Sequence, residues 1–180
     1  MVGSGLGLIV LSPILLILAL CVRLESPGPA LHWSRRVGRR NALFSMPKFR
    51  SMRTDAPDVA THLLPDPERW ITPLGRALRR SSLDELPQLW SVLVGDMSLV
   101  GPRPALHSQD DLVRLRTEAG VHTLRPGLTG LAQVSGRDEL PIPEKARIDA
   151  EYLARRSLGL DLVIIARTAF TAFSGRGVRH

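Results

Sequence analysis

The chain has 180 residues, 44% of them hydrophobic, and carries 24 Lys+Arg against 17 Asp+Glu for a formal charge of +7. That length suits one domain with a real core, and the basic excess favours anionic partners: a lipid surface, nucleic acid or a phosphorylated small molecule. Aromatics at 4% provide few stacking platforms, which argues against nucleic acid, and the single cysteine, Cys21, excludes an intrachain disulfide and a metal site built on cysteine alone.

From Met1 to Val22 no side chain is charged, and Leu6–Val22 is almost wholly apolar. The run lies at the short edge of what spans a bilayer, where about 20 residues are typical. Ser12-Pro13 sits near its middle. Proline removes a backbone donor and crowds the preceding turn, so a helix through Pro13 should bend or break, with the Ser12 hydroxyl free to serve the orphaned carbonyl. A straight span and a bent helix that re-enters its own leaflet fit equally. No basic n-region or small-residue cleavage site marks a signal peptide. Ser26–Pro29 (SPGP) ends the segment, and RRVGRR (Arg35–Arg40) reads as a solvated basic turn that marks the cytoplasmic side and attracts anionic headgroups.

Pro47–Thr54 has short strand or loop character, and Asp55–Trp70 reads as an irregular excursion. Thr72-Pro73 looks like a helix start, with Thr72 as cap and Pro73 in the first helical position, followed by a face of Leu74, Ala77 and Leu78. In SSLDELPQLW (Ser81–Trp90) and beyond, Leu86, Leu89, Trp90, Leu93 and Val94 recur at helical spacing, and Gly95 supplies a stop. Pro87 must lie in the first turn of that helix, which puts Asp84 and Glu85 at its positive end. The ten residues alone favour helix capping, since Ser82-x-x-Glu85 matches a capping box. The alternative is chemical: a helix N-terminus holds a carboxylate ionised, as a nucleophile or metal ligand needs, and adjacent acids can share Mg²⁺.

Downstream, Gly101-Pro102-Arg103-Pro104 holds Arg103 between two prolines, a stiff support for a guanidinium that clamps phosphate, although a turn with an incidental arginine fits as well. Leu124–Arg137 carries Arg125 before Pro126-Gly127 and Arg137 after Ser135-Gly136, in a glycine-rich stretch that matches neither a Walker loop nor a dinucleotide fingerprint. Pro143–Ser157 reads as a helix. Leu158–Phe170 reads as a second, apolar but too short between charges to span, suited to the membrane interface or to packing on the anchor.

KFRSM (Lys48–Met52), RRSSLDELPQLW (Arg79–Trp90), GDMSLVGPRP (Gly95–Pro104), RPGLTGLAQVSGR (Arg125–Arg137) and LDL (Leu160–Leu162) together resemble the bacterial sugar transferase family, the monotopic phosphoglycosyl transferases that start glycan assembly on a polyprenyl carrier. The resemblance runs over essentially the whole chain. It implies transfer of a sugar 1-phosphate from a UDP-sugar to polyprenyl (undecaprenyl) phosphate, yielding polyprenyl diphosphate sugar and UMP. It implies an anchor over residues 1–25, kinked and re-entrant at Ser12-Pro13, and a catalytic domain over 26–180 on the cytoplasmic face of the bacterial inner membrane. The fold so implied is α/β, mostly helical with a small sheet. Asp84 would attack the β-phosphate to form a covalent phosphosugar intermediate, and Asp84 and Glu85 would hold Mg²⁺. Lys48, Arg50, Arg80, Arg103, Arg125 and Arg137 are the candidate phosphate neutralisers, Arg103 and Arg125 foremost. Gln88, one turn after Asp84, is a supporting candidate, and Asp149 and Tyr152 match the family's Asp-x-x-Tyr. Two departures stand out: the chain begins almost inside the apolar segment, and Pro47 stands where relatives carry a bulky residue. A non-catalytic module docking on anionic lipid and a nucleotide-sugar phosphohydrolase are the rival functions. The transferred sugar is not legible in the sequence.

Overall fold

The computed structural model describes residues 2–57, 66–136 and 140–174. Helix α1 covers Val2–Glu25 and runs through Pro13 without a break. Pro13 has no amide proton for the carbonyl of Ile9, and Ser12 Oγ takes its place, donating to Ile9 O at 2.7 Å. One stripe of α1 is covered. Ser4 and Val22 are buried, and Leu15, Leu18 and Ala19 pack on the cluster of Val22, Phe49 and Leu78. The opposite face leaves Leu6, Ile9, Val10, Leu16, Ile17 and Leu20 exposed. Among the described residues, Ser4–Glu25 is the helix long and apolar enough to cross a membrane.

Strands β1 (Leu31–Val37) and β2 (Leu43–Phe49) form an antiparallel hairpin in which Trp33 faces Pro47 and Arg36 faces Phe44. The basic run read from sequence as a turn therefore divides: Arg35 and Arg36 lie on β1, and the reversal is confined to Gly38–Asn41, where Arg40 and Asn41 take positive φ. Pro47 sits inside β2, where the ladder can do without its missing donor in a two-stranded sheet.

Helix α2 (Pro73–Ser81) starts as the sequence predicts. Thr72 caps it, its Oγ1 accepting from the amide of Gly75 at 2.9 Å, with Pro73 in the first turn. Leu78 is buried, Leu74 half-buried and Ala77 exposed, so the apolar face is narrower than predicted. A 3₁₀ turn (Leu83–Gln88) then feeds α3 (Leu89–Val94), which Gly95 ends with a φ of 92°. The predicted single helix is thus a tight turn followed by a short α-helix. Pro87 falls within the 3₁₀ part, where side chains and carbonyls follow a different pitch.

Strand β3 (Ser98–Val100) pairs in parallel with β4 (Gly127–Thr129), forming a second two-stranded sheet. Helix α4 (Asp110–Glu118), for which the sequence reading has no counterpart, packs on α6 (Ile142–Arg155) through Leu112 and Ala146. A short α5 (Leu131–Ser135) follows β4, and α7 (Leu158–Ser174) closes the described chain. Val100, Leu124, Tyr152 and Ile164 form the core under α7. The result is mostly helical with small sheets.

Candidate active site

The dyad sits on the 3₁₀ turn between α2 and α3. Ser82 ends α2 in the left-handed region (φ 57°), which reverses the chain, and the turn lands on β2. Ser82 makes no side-chain capping bond, so the predicted capping box does not form; only its main-chain carbonyl accepts, from the Glu85 amide at 3.2 Å. Capping therefore does not account for the two acids.

Asp84 is buried, and Glu85 is half-buried against Arg103. Arg103 Nη2 lies 2.6 Å from Glu85 Oε1, and Nη1 donates to Oε2 at 3.3 Å, a two-pronged ion pair. Lys48 of β2, Arg79 of α2 and Arg103 supply positive charge to Asp84, while Arg36 and Lys48 add to Arg103 at Glu85. The two carboxyls are consequently pushed apart. Burial, then the neighbouring Glu85, raises Asp84 above the usual carboxylate range against the pull of these cations. At Glu85 burial acts upward too, but the Arg103 ion pair, with Lys48 and Arg36, outweighs it and holds the carboxyl low. Lys48 is brought down to about 8, first by burial and then by Arg36 and Arg79, despite the attraction of the dyad. Burial also lowers Arg79, whose Nε donates to Ser51 Oγ at 2.8 Å.

The sequence-predicted residues divide by place. Asp84, Glu85, Lys48 and Arg103 come together. Gln88 is buried on the same turn, its amide nitrogen without a protein partner. Arg80 is exposed on α2, beside but apart from Arg79. Arg125 is also exposed, and its guanidinium lies near Gly95 at the far end of α3 from the dyad, 4.0 Å from a Cβ built there. Arg137 lies outside the described residues. Arg50, which the sequence places among the phosphate neutralisers, is placed elsewhere. Its guanidinium is buried at the end of α1 and donates to the carbonyls of Val22 (3.3 Å), Ser26 (2.7 Å) and Pro27 (2.6 Å). The last carbonyls of α1 and those just beyond it have no intrahelical partner, and this guanidinium satisfies three of them. Asp149 is buried in an ion pair with Arg116, and Tyr152 packs in the core with its hydroxyl donating to Asp161 Oδ1 at 2.8 Å, so neither touches the dyad.

Sequence reasoning missed Arg36, Arg79 and Arg116. Arg79 immediately precedes the dyad turn and falls inside a block already singled out. Arg36 alternates with Arg35 on a strand, which places one on each face. Arg116 sits one turn after the buried Leu112 of α4, and nothing local in the sequence marks it, because its acid is Asp149 of α6.

As for metal chemistry, no cluster of three or more His, Cys, Asp or Glu occurs among the described residues. The dyad supplies two hard carboxylate groups and no cage, a donor set that fits Mg²⁺, which takes one or two carboxylates and completes its shell with water and substrate phosphate.

Comparison with known proteins agrees with the resemblance seen in the motifs. The family described as bacterial sugar transferase matches residues 1–175. A UDP-glucose:undecaprenyl-phosphate glucose-1-phosphate transferase of Caulobacter vibrioides is 46% identical over 176 residues, which cover 93% of this chain and 65% of that protein. An undecaprenyl-phosphate galactose phosphotransferase of Salmonella typhimurium is 40% identical over 184 residues, 93% of this chain and 38% of that protein. The uncharacterized sugar transferase EpsL of Bacillus subtilis is 40% identical over 171 residues, 94% of this chain and 82% of that protein. The chain thus spans less than two thirds of the first two relatives.

Proposed function

The chain belongs to the bacterial sugar transferase family, and on that premise we propose that it moves a sugar 1-phosphate from a UDP-sugar to polyprenyl phosphate, leaving UMP and a membrane-bound polyprenyl diphosphate sugar. The observation that carries this reading is the Asp84–Glu85 pair set among Lys48, Arg36, Arg79 and Arg103. A nucleophilic carboxylate and an anionic diphosphate repel one another, and cations placed beforehand around both offset the charge that accumulates in the transition state.

In the proposed sequence an Asp84 carboxylate oxygen attacks the β-phosphorus of the UDP-sugar. The bond from that phosphorus to the bridging oxygen breaks, the oxygen departs with UMP, and the sugar phosphate is left on Asp84 as an acyl phosphate. A phosphate oxygen of the polyprenyl carrier then attacks the same phosphorus and the acyl phosphate bond breaks, restoring the carboxylate. Glu85, paired with Arg103, keeps its charge throughout and orients the guanidinium toward the diphosphate. Asp84 and Glu85 would hold Mg²⁺, which supplies Lewis-acid neutralisation of the phosphate oxygens when bound. Lys48, with a value near 8, carries its charge at neutral pH and is close enough to losing it to respond to the dyad.

The proposed setting is the cytoplasmic face of the inner membrane, with residues 1–25 as a re-entrant anchor and 26–180 as the catalytic part. This is supported by contacts near both ends of α1 with the same body of the protein. A Cβ on Gly5 would lie 3.5 Å from Leu93 Cδ1 and one on Gly7 3.8 Å from Leu89 Cδ1, while Val22 packs with Phe49 and Leu78. A helix crossing both leaflets would carry its N-terminus about 30 Å from the domain. The exposed Leu158, Leu162 and Phe170 of α7 suit a membrane interface.

The test is to incubate the protein in detergent or nanodiscs with a panel of UDP-sugars, Mg²⁺ and polyprenyl phosphate, and to measure UMP and lipid-linked product. Both should form, and EDTA or Asp84→Asn should abolish both. Nucleotide release without lipid product would instead support a phosphohydrolase, and lipid binding without turnover a docking module.

A further inference from the structure

We propose that Arg116 and Asp149 are positioning residues for this reaction: they fix the main chain at Arg103 so that its guanidinium meets Glu85. The inference rests on the transferase reading for its chemistry and on the hydrogen bonds of Arg116 and of the strap around Arg103 for its geometry.

The strap Gly101–Pro104 presents a problem of anchorage. Pro102 and Pro104 have no amide protons, so a segment that must hold a guanidinium in place has lost two of its own donors. Gly101 N donates to Thr129 O at 2.9 Å, and beyond it the segment is held through its carbonyls. Gly127 N donates to Pro102 O at 2.9 Å, and Val37 N donates to Ala105 O at 2.9 Å, which ties the two ends to β4 and β1. The two carbonyls between them are taken by guanidinium groups: Arg116 Nη1 donates to Arg103 O at 2.8 Å and Arg36 Nη1 to Pro104 O at 3.3 Å. Each carbonyl from Pro102 to Ala105 thus has a donor from another part of the fold.

Arg116 reaches the strap because its other edge is fixed. Nε and Nη2 donate to Asp149 Oδ2 at 2.9 and 2.6 Å, and that carboxylate is 1% exposed. A buried ion pair that only joined α4 to α6 would be a weak contributor to stability, since apolar residues of the same volume do as well or better. The third prong gives the pair a purpose that apolar residues cannot supply. The planar fork aims Nη1 away from α4 and α6, at the residue whose side chain meets Glu85. The chain of contacts runs Asp149, Arg116, Arg103 main chain, Arg103 side chain, Glu85. It also explains why the acid of the Asp-x-x-Tyr pair lies away from the dyad.

The experiment compares Arg116→Lys, Arg116→Met and Asp149→Asn with the wild-type chain in nanodiscs. Arg116→Lys keeps a positive charge for Asp149 but loses the fork, so it should fold normally. Turnover kcat should fall roughly 10- to 100-fold in each variant, the scale of misplacing a reacting group by about 1 Å, with KM for the UDP-sugar changed far less. In an Arg103→Met background, Arg116→Met should add almost nothing, because its effect passes through the residue already removed. Hydrogen exchange supplies a readout independent of turnover: the Gly127 and Val37 amides, bonded to the strap, should lose protection in Arg116→Met, while the Arg76 amide of α2 should not. An Arg116→Met loss that multiplies the Arg103→Met loss, or unchanged exchange at Gly127 and Val37, would overturn the proposal. A wild-type chain that fails to turn over any donor but shows the exchange pattern would sink the transferase reading and leave the strut standing as geometry.

Discussion

The guanidinium of Arg50 clasps the carbonyls at the end of α1, where Glu25 Oε1 also accepts from the Leu74 amide at 2.7 Å, and removal of that guanidinium has a calculable consequence. In Arg50→Met the carbonyls of Ser26 and Pro27 lose short bonds of 2.7 and 2.6 Å, and Val22 loses a longer one of 3.3 Å. A hydrogen bond from a charged donor contributes about 1.5 kcal/mol at the low end, so the two short bonds together amount to about 3 kcal/mol, the long one being discounted. Methionine keeps much of the buried volume, which limits the cavity contribution. The seat is built for this one side chain. Gly28 adopts a φ of 118° beneath it, and a Cβ there would overlap Arg50 Nη1. Denaturant unfolding in detergent should therefore show Arg50→Met less stable by about 3 kcal/mol. Limited proteolysis should release α1 at Ser26–Pro29 sooner than in the wild type, because the helix end is no longer clasped. Arg50→Lys should recover only part of the loss, a point charge being unable to span three carbonyls with the same fork. A stability change below about 0.5 kcal/mol in Arg50→Met, the usual range for surface substitutions, would refute the clasp.

Asp84 is held above its ordinary value, so the native state binds its proton more tightly than the unfolded chain, and stability contributed there is lost as pH rises through the raised value. Asp84→Asn should accordingly raise the melting temperature near neutral pH while abolishing turnover; a lower melting temperature would contradict the burial argument. Glu85 behaves in the opposite sense: its lowered value contributes stability above the unfolded carboxylate value that is lost on acidification, so Glu85→Gln should destabilise at pH 7 and much less at pH 3. Lys48 sheds its proton at about 8 in the folded chain, against 10.5 when unperturbed. Its contribution to stability rises with pH across that window, because the unfolded state binds the extra proton, while turnover should decline as the dyad loses a cation; Lys48→Arg should move that decline to higher pH, and an unmoved basic limb would exclude Lys48. Thr72→Ala, which removes the cap on Gly75, should cost about 1 kcal/mol in denaturant unfolding, and a neutral result would show the cap to be idle.

What could be read from the sequence was local. Thr72-Pro73 announces α2 because cap and proline act within one turn, and the helix of Pro143–Ser157 appears as α6 within a residue or two. The dyad stood out because two acids interrupt a basic chain, and the structure brings four cations to them. What escaped was non-local. Strands β3 and β4 are three residues each, too short for periodicity, and they pair across the chain where Gly101 and Gly127 let two backbones meet. Arg50 could not be assigned because its partners are carbonyls that are orphaned only once α1 has ended and folded back. Arg116 was invisible for the same reason, its acid lying 33 residues away on another helix.

The central claim is that Asp84 carries the sugar phosphate. Mixing the protein with Mg²⁺ and a UDP-sugar that it turns over, without polyprenyl phosphate, then digesting in acid and sequencing by mass spectrometry should place a sugar phosphate on Asp84. Adding the carrier should discharge it into lipid-linked product. Full turnover with no adduct at any time, or an Asp84→Ala chain that still makes product at the wild-type rate, would contradict it.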